Sequence, residues 1–236
     1  MKRLLSALHW DALQQYRYKF YAVGVGMVIF WGGLFSLVPG IGRVDAVVVV
    51  PAFFAINLYV TTFYFISGLV LIEKSEGTLS ALAATPLRDA EYLLSKVITL
   101  TVLAIVESLL IVVVVLGIRG NWVPLLSGAF ALGAIYSLAG FIVVVRYRSI
   151  NAFLIPSVLY VIALLLPLLS HFGLANRLIF LLHPMEPAME LMRAAYLPTG
   201  VWEMVYAAAG AAAWMCGGFF LARWRIYRFV VREAGV

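Results

Sequence analysis

Six long apolar runs constrain this chain more than any other feature of its sequence. A hydrocarbon layer of about 30 Å takes about 20 helical residues to cross. Residues 20–38, 46–72, 97–118, 122–145, 151–170 and 201–222 meet that length with no internal Lys or Arg. The composition agrees: 64% of the 236 residues are hydrophobic and 12% charged. A soluble domain runs nearer half apolar and a quarter charged, so this chain cannot coat a globule with polar groups. An all-α, multi-pass membrane protein follows, and a secreted domain or a nucleic-acid binder is excluded. The formal charge of +6 then concerns topology and anionic headgroups. Cys216 stands alone, which leaves no internal disulfide and no thiolate metal cluster.

Six crossings place both ends of the chain on one side. Thirteen Lys and Arg fall in the N-terminal segment, the second-to-third and fourth-to-fifth loops and the tail, against Arg43, Arg119, Arg177 and Arg193 on the other face. The positive-inside bias makes both termini cytoplasmic, in a plasma membrane. Trp10 and Trp224 then sit near the inner interface, Trp122 and Trp202 near the outer one. The first run is too long for a signal-peptide core and ends in Val38-Pro39-Gly40, so it is read as a true span. Residues 1–18 place Leu4, Leu5, Leu8, Ala12, Leu13 and Tyr16 on one helical stripe, with Lys2, Arg3, Ser6, Asp11, Gln14 and Gln15 opposite. That pattern is an amphipathic helix lying in the headgroup layer, with residues 19–236 forming the transmembrane domain.

Two segments exceed what a hairpin needs. Residues 171–200 contain an apolar stretch, Leu178 to Leu182, too short to cross, then His183, Pro184 and Pro187, then a helical pattern from Ala188 to Tyr196. This segment is expected to dip into the outer leaflet and return, shielded by protein. Residues 73–96 form the second. Thr78 is a candidate N-cap after Gly77, Leu79 to Ala84 favours helix, Pro86 ends it, and Asp89 with Glu91 starts the next helix. A short helix showing Leu79 and Leu82 suits a docking surface for a soluble partner, or equally an ordinary interfacial loop.

The residues Glu73, Glu76-Gly77-Thr78-Leu79, Leu82, Thr85-Pro86-Leu87 and Glu91-Tyr92-Leu93 with Lys96 resemble the signature of type-2 ATP-binding cassette (ABC) permeases, most closely the small fluoroquinolone exporter permeases. The likeness covers nearly the whole chain. It implies that residues 1–18 are a connecting helix, that 73–96 carry a coupling helix and that 171–200 are re-entrant. It also implies a second permease copy, most simply as a homodimer, and two separate ATPase subunits that bind ATP and Mg. Glu73, Glu76, Gly77, Thr78, Leu79 and Leu82 would form the ATPase-facing patch. The chain itself has no G-x-x-x-x-G-K-[ST] phosphate loop, so it is expected to be a permease subunit and not an enzyme, with no cofactor of its own.

On the second run Phe53, Asn57, Thr61, Tyr64 and Gly68 recur at helical spacing. Aromatic area with amide and hydroxyl groups suits a pathway for a hydrophobic or amphipathic small molecule, and helix packing is the rival explanation. Asn151, Phe153, Ser157 and Tyr160 on the fifth run are candidates for the opposing wall, with Pro156 a bend. Glu107 is an acid deep in a span: a proton site, a cation contact, or a group bonded to a neighbour such as Tyr136 or Ser137. Ala209, Ala213 and Gly217, and Gly133, Ser137 and Gly140, form small-residue stripes expected to pack. His183 and Glu186 are three apart, but Pro184 and Pro187 break the spacing a metal pair needs. An ion-coupled secondary transporter would want inverted repeats and a coupling-ion site, and an intramembrane enzyme a nucleophile and base; neither pattern is present. A non-transporting assembly subunit remains as a further alternative.

Overall fold

A computed structural model describes residues 2–37, 45–78, 87–117 and 120–233. Leu79 and Leu82, with most of the expected coupling helix, lie outside the described residues. The described chain is helical with no strand. Its elements are α1 (Lys2–Arg17), α2 (Phe20–Ser36), α3 (Ala46–Ser75), α4 (Asp89–Leu116), α5 (Trp122–Val144), α6 (Ile150–Leu165), α7 (Leu168–His171), α8 (Met185–Arg193) and α9 (Val201–Glu233). Five of these, α3, α4, α5, α6 with α7, and α9, are long and apolar enough to cross a membrane. The sixth expected crossing, α2, has 17 described residues and is joined to α1 across a bend of 64°. The bend sits at Lys19, whose φ of 62° is the left-handed region that side chains other than glycine rarely adopt.

Local chemistry sets the helix ends. Asp45 accepts from the Val47 N–H at 3.0 Å and starts α3. Asn121 does the same for α5 through Val123, and Ser149 for α6 through Ala152. The Glu91 carboxylate accepts from the Arg88 N–H at 3.0 Å, so α4 begins at Asp89, eight residues before the apolar run that the sequence marks as a span. Those eight residues are helical because Asp89 and Glu91 suit the helix start and Tyr92, Leu93 and Lys96 are buried against the rest of the bundle.

At the centre is α5, with 78% of its apolar window buried, against 17% for the α6 span and 11% for α9. Small residues bring its neighbours close. A Cβ on Gly140 would lie 2.7 Å from the Phe63 carbonyl oxygen of α3, and one on Gly133 would lie 2.8 Å from Thr101 of α4. On the far side a Cβ on Gly128 would lie 2.7 Å from the Ala188 carbonyl of α8. The stripe expected on the sixth run is turned the other way: Ala209, Ala213 and Gly217 are exposed, Gly217 with nothing within 4 Å, while Ala207, Gly210, Ala211 and Gly218 face the bundle. Periodicity alone cannot choose between two small-residue faces of one helix.

Where Gly140 meets α3, that helix widens into a π-turn over Tyr59–Tyr64. The Thr62 and Ser67 hydroxyls donate back to the Leu58 and Phe63 carbonyls, four residues earlier, at 2.7 Å. Gly140→Ala therefore forces two backbones apart, and overpacking of this kind costs about 1–3 kcal/mol. Thermal unfolding of the purified protein in detergent is expected to show a lowered Tm for Gly140→Ala and none for Gly217→Ala.

Candidate functional site

Three polar centres lie along the bundle. The first ties α1 to the ends of α3 and α4. Lys96 is fully buried and its Nζ lies 2.6 Å from Glu73 Oε1 and 2.9 Å from Asp11 Oδ1. Tyr92 donates its hydroxyl to the other oxygen of Glu73, and Ser95 donates to the other oxygen of Asp11. Gln15 of α1, also fully buried, donates to Thr99 of α4 at 2.7 Å. Two carboxylates around one ammonium leave a formal excess of negative charge, which the Tyr92 and Ser95 hydroxyls help to hold. Asp11, Gln14 and Gln15, the polar face of α1, are thus partly turned into protein.

The adjoining end of α3 explains the Glu76-Gly77-Thr78 triplet. Gly77 has φ of 71° and its N–H donates to the Lys74 carbonyl, closing the helix with a left-handed residue that glycine adopts without strain. The Thr78 hydroxyl donates back to the Glu73 carbonyl at 3.1 Å, and the N–H groups it was expected to cap lie outside the described residues. Glu76 is exposed and accepts from the Tyr18 hydroxyl at 2.6 Å, which pushes the Tyr18 phenol above its usual pKa. Glu73, at 5% exposure, faces inward, whereas Glu76, Gly77 and Thr78 are open on the surface. A groove of about 860 Å³ runs beside them, walled by Trp10, Leu13 and Tyr16 of α1 and by Glu76, Thr78 and Leu87. Lys74 donates to the Val145 and Tyr147 carbonyls, capping α5 from the same end of α3.

The second centre is midway along the bundle and divides the expected pathway residues into groups. Asn57 and Thr61 face α4: Asn57 donates to Ser108 at 2.9 Å and Thr61 to Glu107 Oε2 at 3.0 Å. Phe53 packs between Trp31 and Phe35 of α2, with ring centroids 5.5 and 5.4 Å away. Tyr64 meets the fifth run, sharing a hydrogen bond of 3.2 Å with Ser157 beside Phe153. Tyr160 lies under the Arg146 guanidinium at 6.0 Å, and Asn151 is exposed and apart from the others. The partner of Glu107 is thus Thr61; Tyr136 and Ser137 on α5 do not bond to it, and their hydroxyls have no partner among the described residues.

The third centre lies at the far end. Arg177 holds Glu186 at 2.7 Å and Glu190 at 2.6 Å, and Arg193 reaches the same two carboxylates at 3.3 and 3.2 Å. The pairing of Glu190 with Arg193 follows from their spacing; Arg177 arrives from nine residues before Glu186, which no spacing rule anticipates. Arg193 also donates to His171 Nδ1, and His171 Nε2 bonds the Val48 carbonyl at 2.7 Å. His183 is used separately, between the Met185 N–H and the Ala163 carbonyl, and burial lowers its pKa. His183 and Glu186 therefore face different partners. The result is a compact charged core around α8, whose residues Met185 to Met192 are all buried.

Removing one partner of a buried ion pair costs about 3–5 kcal/mol, because the charge left behind is unsolvated. Lys96→Met strands both Asp11 and Glu73 and is expected to release α1. Limited trypsin digestion should then cut at Arg17 or Lys19 much faster than in the native protein.

Comparison with known proteins places this architecture. The sequence profile of the fluoroquinolones export permease protein family matches residues 2–234. The chain is 26% identical over 239 residues to the fluoroquinolones export permease proteins of two Mycobacterium tuberculosis strains, CDC 1551 and H37Rv, covering 100% of both partners in each alignment. With a profile match over nearly its whole length and apolar helices of membrane-spanning size, the chain belongs to the fluoroquinolones export permease protein family.

Proposed function

We propose that this chain is the membrane-spanning half of an ABC exporter that moves a hydrophobic or amphipathic, drug-like molecule out of the cytoplasm or inner leaflet. It works as a homodimer on two separate ATPase subunits, which bind ATP and Mg. In this reading the bundle makes six crossings of the plasma membrane, α1 and both termini are cytoplasmic, residues 171–200 re-enter the outer leaflet, and residues 77–84 are gripped by the ATPase.

The observation that carries the reading is the Lys96 ion cluster. It joins α1, the end of α3 and the start of α4 at the base of the loop that carries the family signature. A push on the loop then cannot be absorbed locally. It moves Glu73 with α3, Lys96 with α4 and Asp11 with α1, and α1 leads into α2 at the Lys19 elbow. Coupled rigid helices of this kind give a two-state switch whose populations ATP binding can shift. Glu76, Gly77 and Thr78, open on the surface beside the groove, suit direct contact with the ATPase, and Glu73 suits a positioning role.

The test is co-expression with a cognate ATPase subunit. Gly77→Asp and Leu79→Asp, each adding charge to the contact, are expected to lower co-purification of the ATPase at least tenfold and to abolish ATP-dependent accumulation of a lipophilic dye in inverted vesicles. Undiminished co-purification by both variants, or dye movement driven by a proton gradient without any ATPase, overturns the reading.

A further inference from the structure

The middle polar centre contains acceptors with nothing to accept. Glu107 is 3% exposed, and while its Oε2 takes the Thr61 hydroxyl, its Oε1 has no partner among the described residues. Asn57 is fully buried, and while its amide N–H bonds Ser108, its Oδ1 is also without a partner. Along α4, Glu107 is eleven residues from Lys96, or about 16 Å at 1.5 Å per residue, near the middle of a hydrocarbon layer of about 30 Å. No Lys, Arg or His pairs with it among the described residues, unlike the carboxylates of the two end centres.

Burying such oxygens unpaired is costly, and more so for a carboxylate than for an amide. The backbone is nevertheless shaped to put them there. Thr61 lies inside the π-turn and Asn57 just before it, so the widened turn sets how the two side chains meet α4. Such turns recur at functional sites in helices. The cover is thin as well. On the α2 side Glu107 faces Gly24, where an added Cβ would still clear its Oε2 by 3.8 Å. Beyond Gly24 the α2 surface is apolar and open at Val25, Ile29 and Phe30. A swing of α2 about its Lys19 elbow would uncover the carboxylate without breaking a side-chain hydrogen bond between α2 and another helix among the described residues.

We propose that Glu107 and Asn57 form a binding site for the ammonium group of an amphipathic cargo. A protonated amine brings a positive charge for the carboxylate and N–H donors for Glu107 Oε1 and Asn57 Oδ1, while its apolar part lies along α2 and α3 near Phe53 and Trp31. Pairing neutralises both charges, so the occupied site suits hydrocarbon better than a lone carboxylate does. Thr61 is a positioning residue for the carboxylate as well as a packing contact. This proposal names the cargo chemistry of the export reading and rests on it for biological meaning, but binding itself requires neither ATP nor the ATPase.

The test uses the purified full chain in lipid nanodiscs, without ATPase, and two fluorescent probes: a dansyl-tagged decylammonium and its dansyl-tagged alcohol counterpart. The native chain is expected to prefer the ammonium probe. Glu107→Gln, which keeps an acceptor for Thr61, should bind that probe at least tenfold more weakly with the alcohol probe unchanged. Glu107→Asp should retain the ammonium preference. The proposal is overturned by a native chain with no preference, by an unchanged ammonium affinity in Glu107→Gln, by equal weakening of both probes, or by loss of preference in Glu107→Asp. Any of these leaves the export reading to its own ATP-dependent flux assay.

Discussion

A charged group inside an oily bundle must find its counter-charge on a neighbouring helix, and Lys96 does so twice. An ammonium held by carboxylates from two other elements is a three-way joint: it sets α1 against α3 and α4, and through the Lys19 elbow it sets where α2 begins. Much of the basic end follows from that joint, including the inward face of Glu73, the burial of Tyr92 and the eight extra residues at the start of α4. Buried ion pairs add little net stability over apolar packing, but they penalise every arrangement that leaves one member alone. That asymmetry favours a bundle whose parts move together over one whose parts slide.

The three polar centres differ in how well they are satisfied. At the far end two arginines and two glutamates balance, with His171 tying the α8 core to the start of α3. At the basic end one ammonium and two carboxylates are completed by hydroxyl donors. Among the described residues the first centre leaves Gln15 Oε1 and the far one Glu186 Oε2 without a partner, but the middle centre leaves two such oxygens, on Glu107 and Asn57, and pairs its carboxylate with no cation. Between the centres the packing is close: Gly133 and Gly140 let α5 touch α4 and α3, while α6 and α9 present large apolar faces outward. A closely packed hub with apolar helix faces turned outward suits a membrane transport subunit.

Much of this was legible in the sequence for simple physical reasons. Long apolar runs without Lys or Arg must cross or be buried, and the periodicity of residues 1–18 gives the helix Lys2–Arg17. The helix start at Asp89 follows from capping chemistry. What was not legible depends on contacts distant in sequence. Asp11 reads as part of a solvated face and Lys96 as a flanking charge until α1 folds across α4. The Tyr92 and Lys96 spacing, one turn apart with Glu73 nearby, is the only local hint. The π-turn at Tyr59–Tyr64 shifts the face of α3 midway, so the even recurrence of Phe53, Asn57, Thr61 and Tyr64 divides among α2, α4 and α6. Likewise the partner of Glu107 could be sought among neighbouring polar residues, but only the tertiary arrangement selects Thr61 over Tyr136.

The central claim is that α1 and the base of the 73–96 segment form one body through Lys96. Pulsed electron-spin distance measurement addresses it directly, with labels on the exposed positions Leu5→Cys and Ser75→Cys and the native Cys216 replaced by Ala. A single narrow distance distribution that broadens when Lys96→Met is added is the result this account requires. A distribution already broad with Lys96 in place, or one indifferent to its removal, would contradict it.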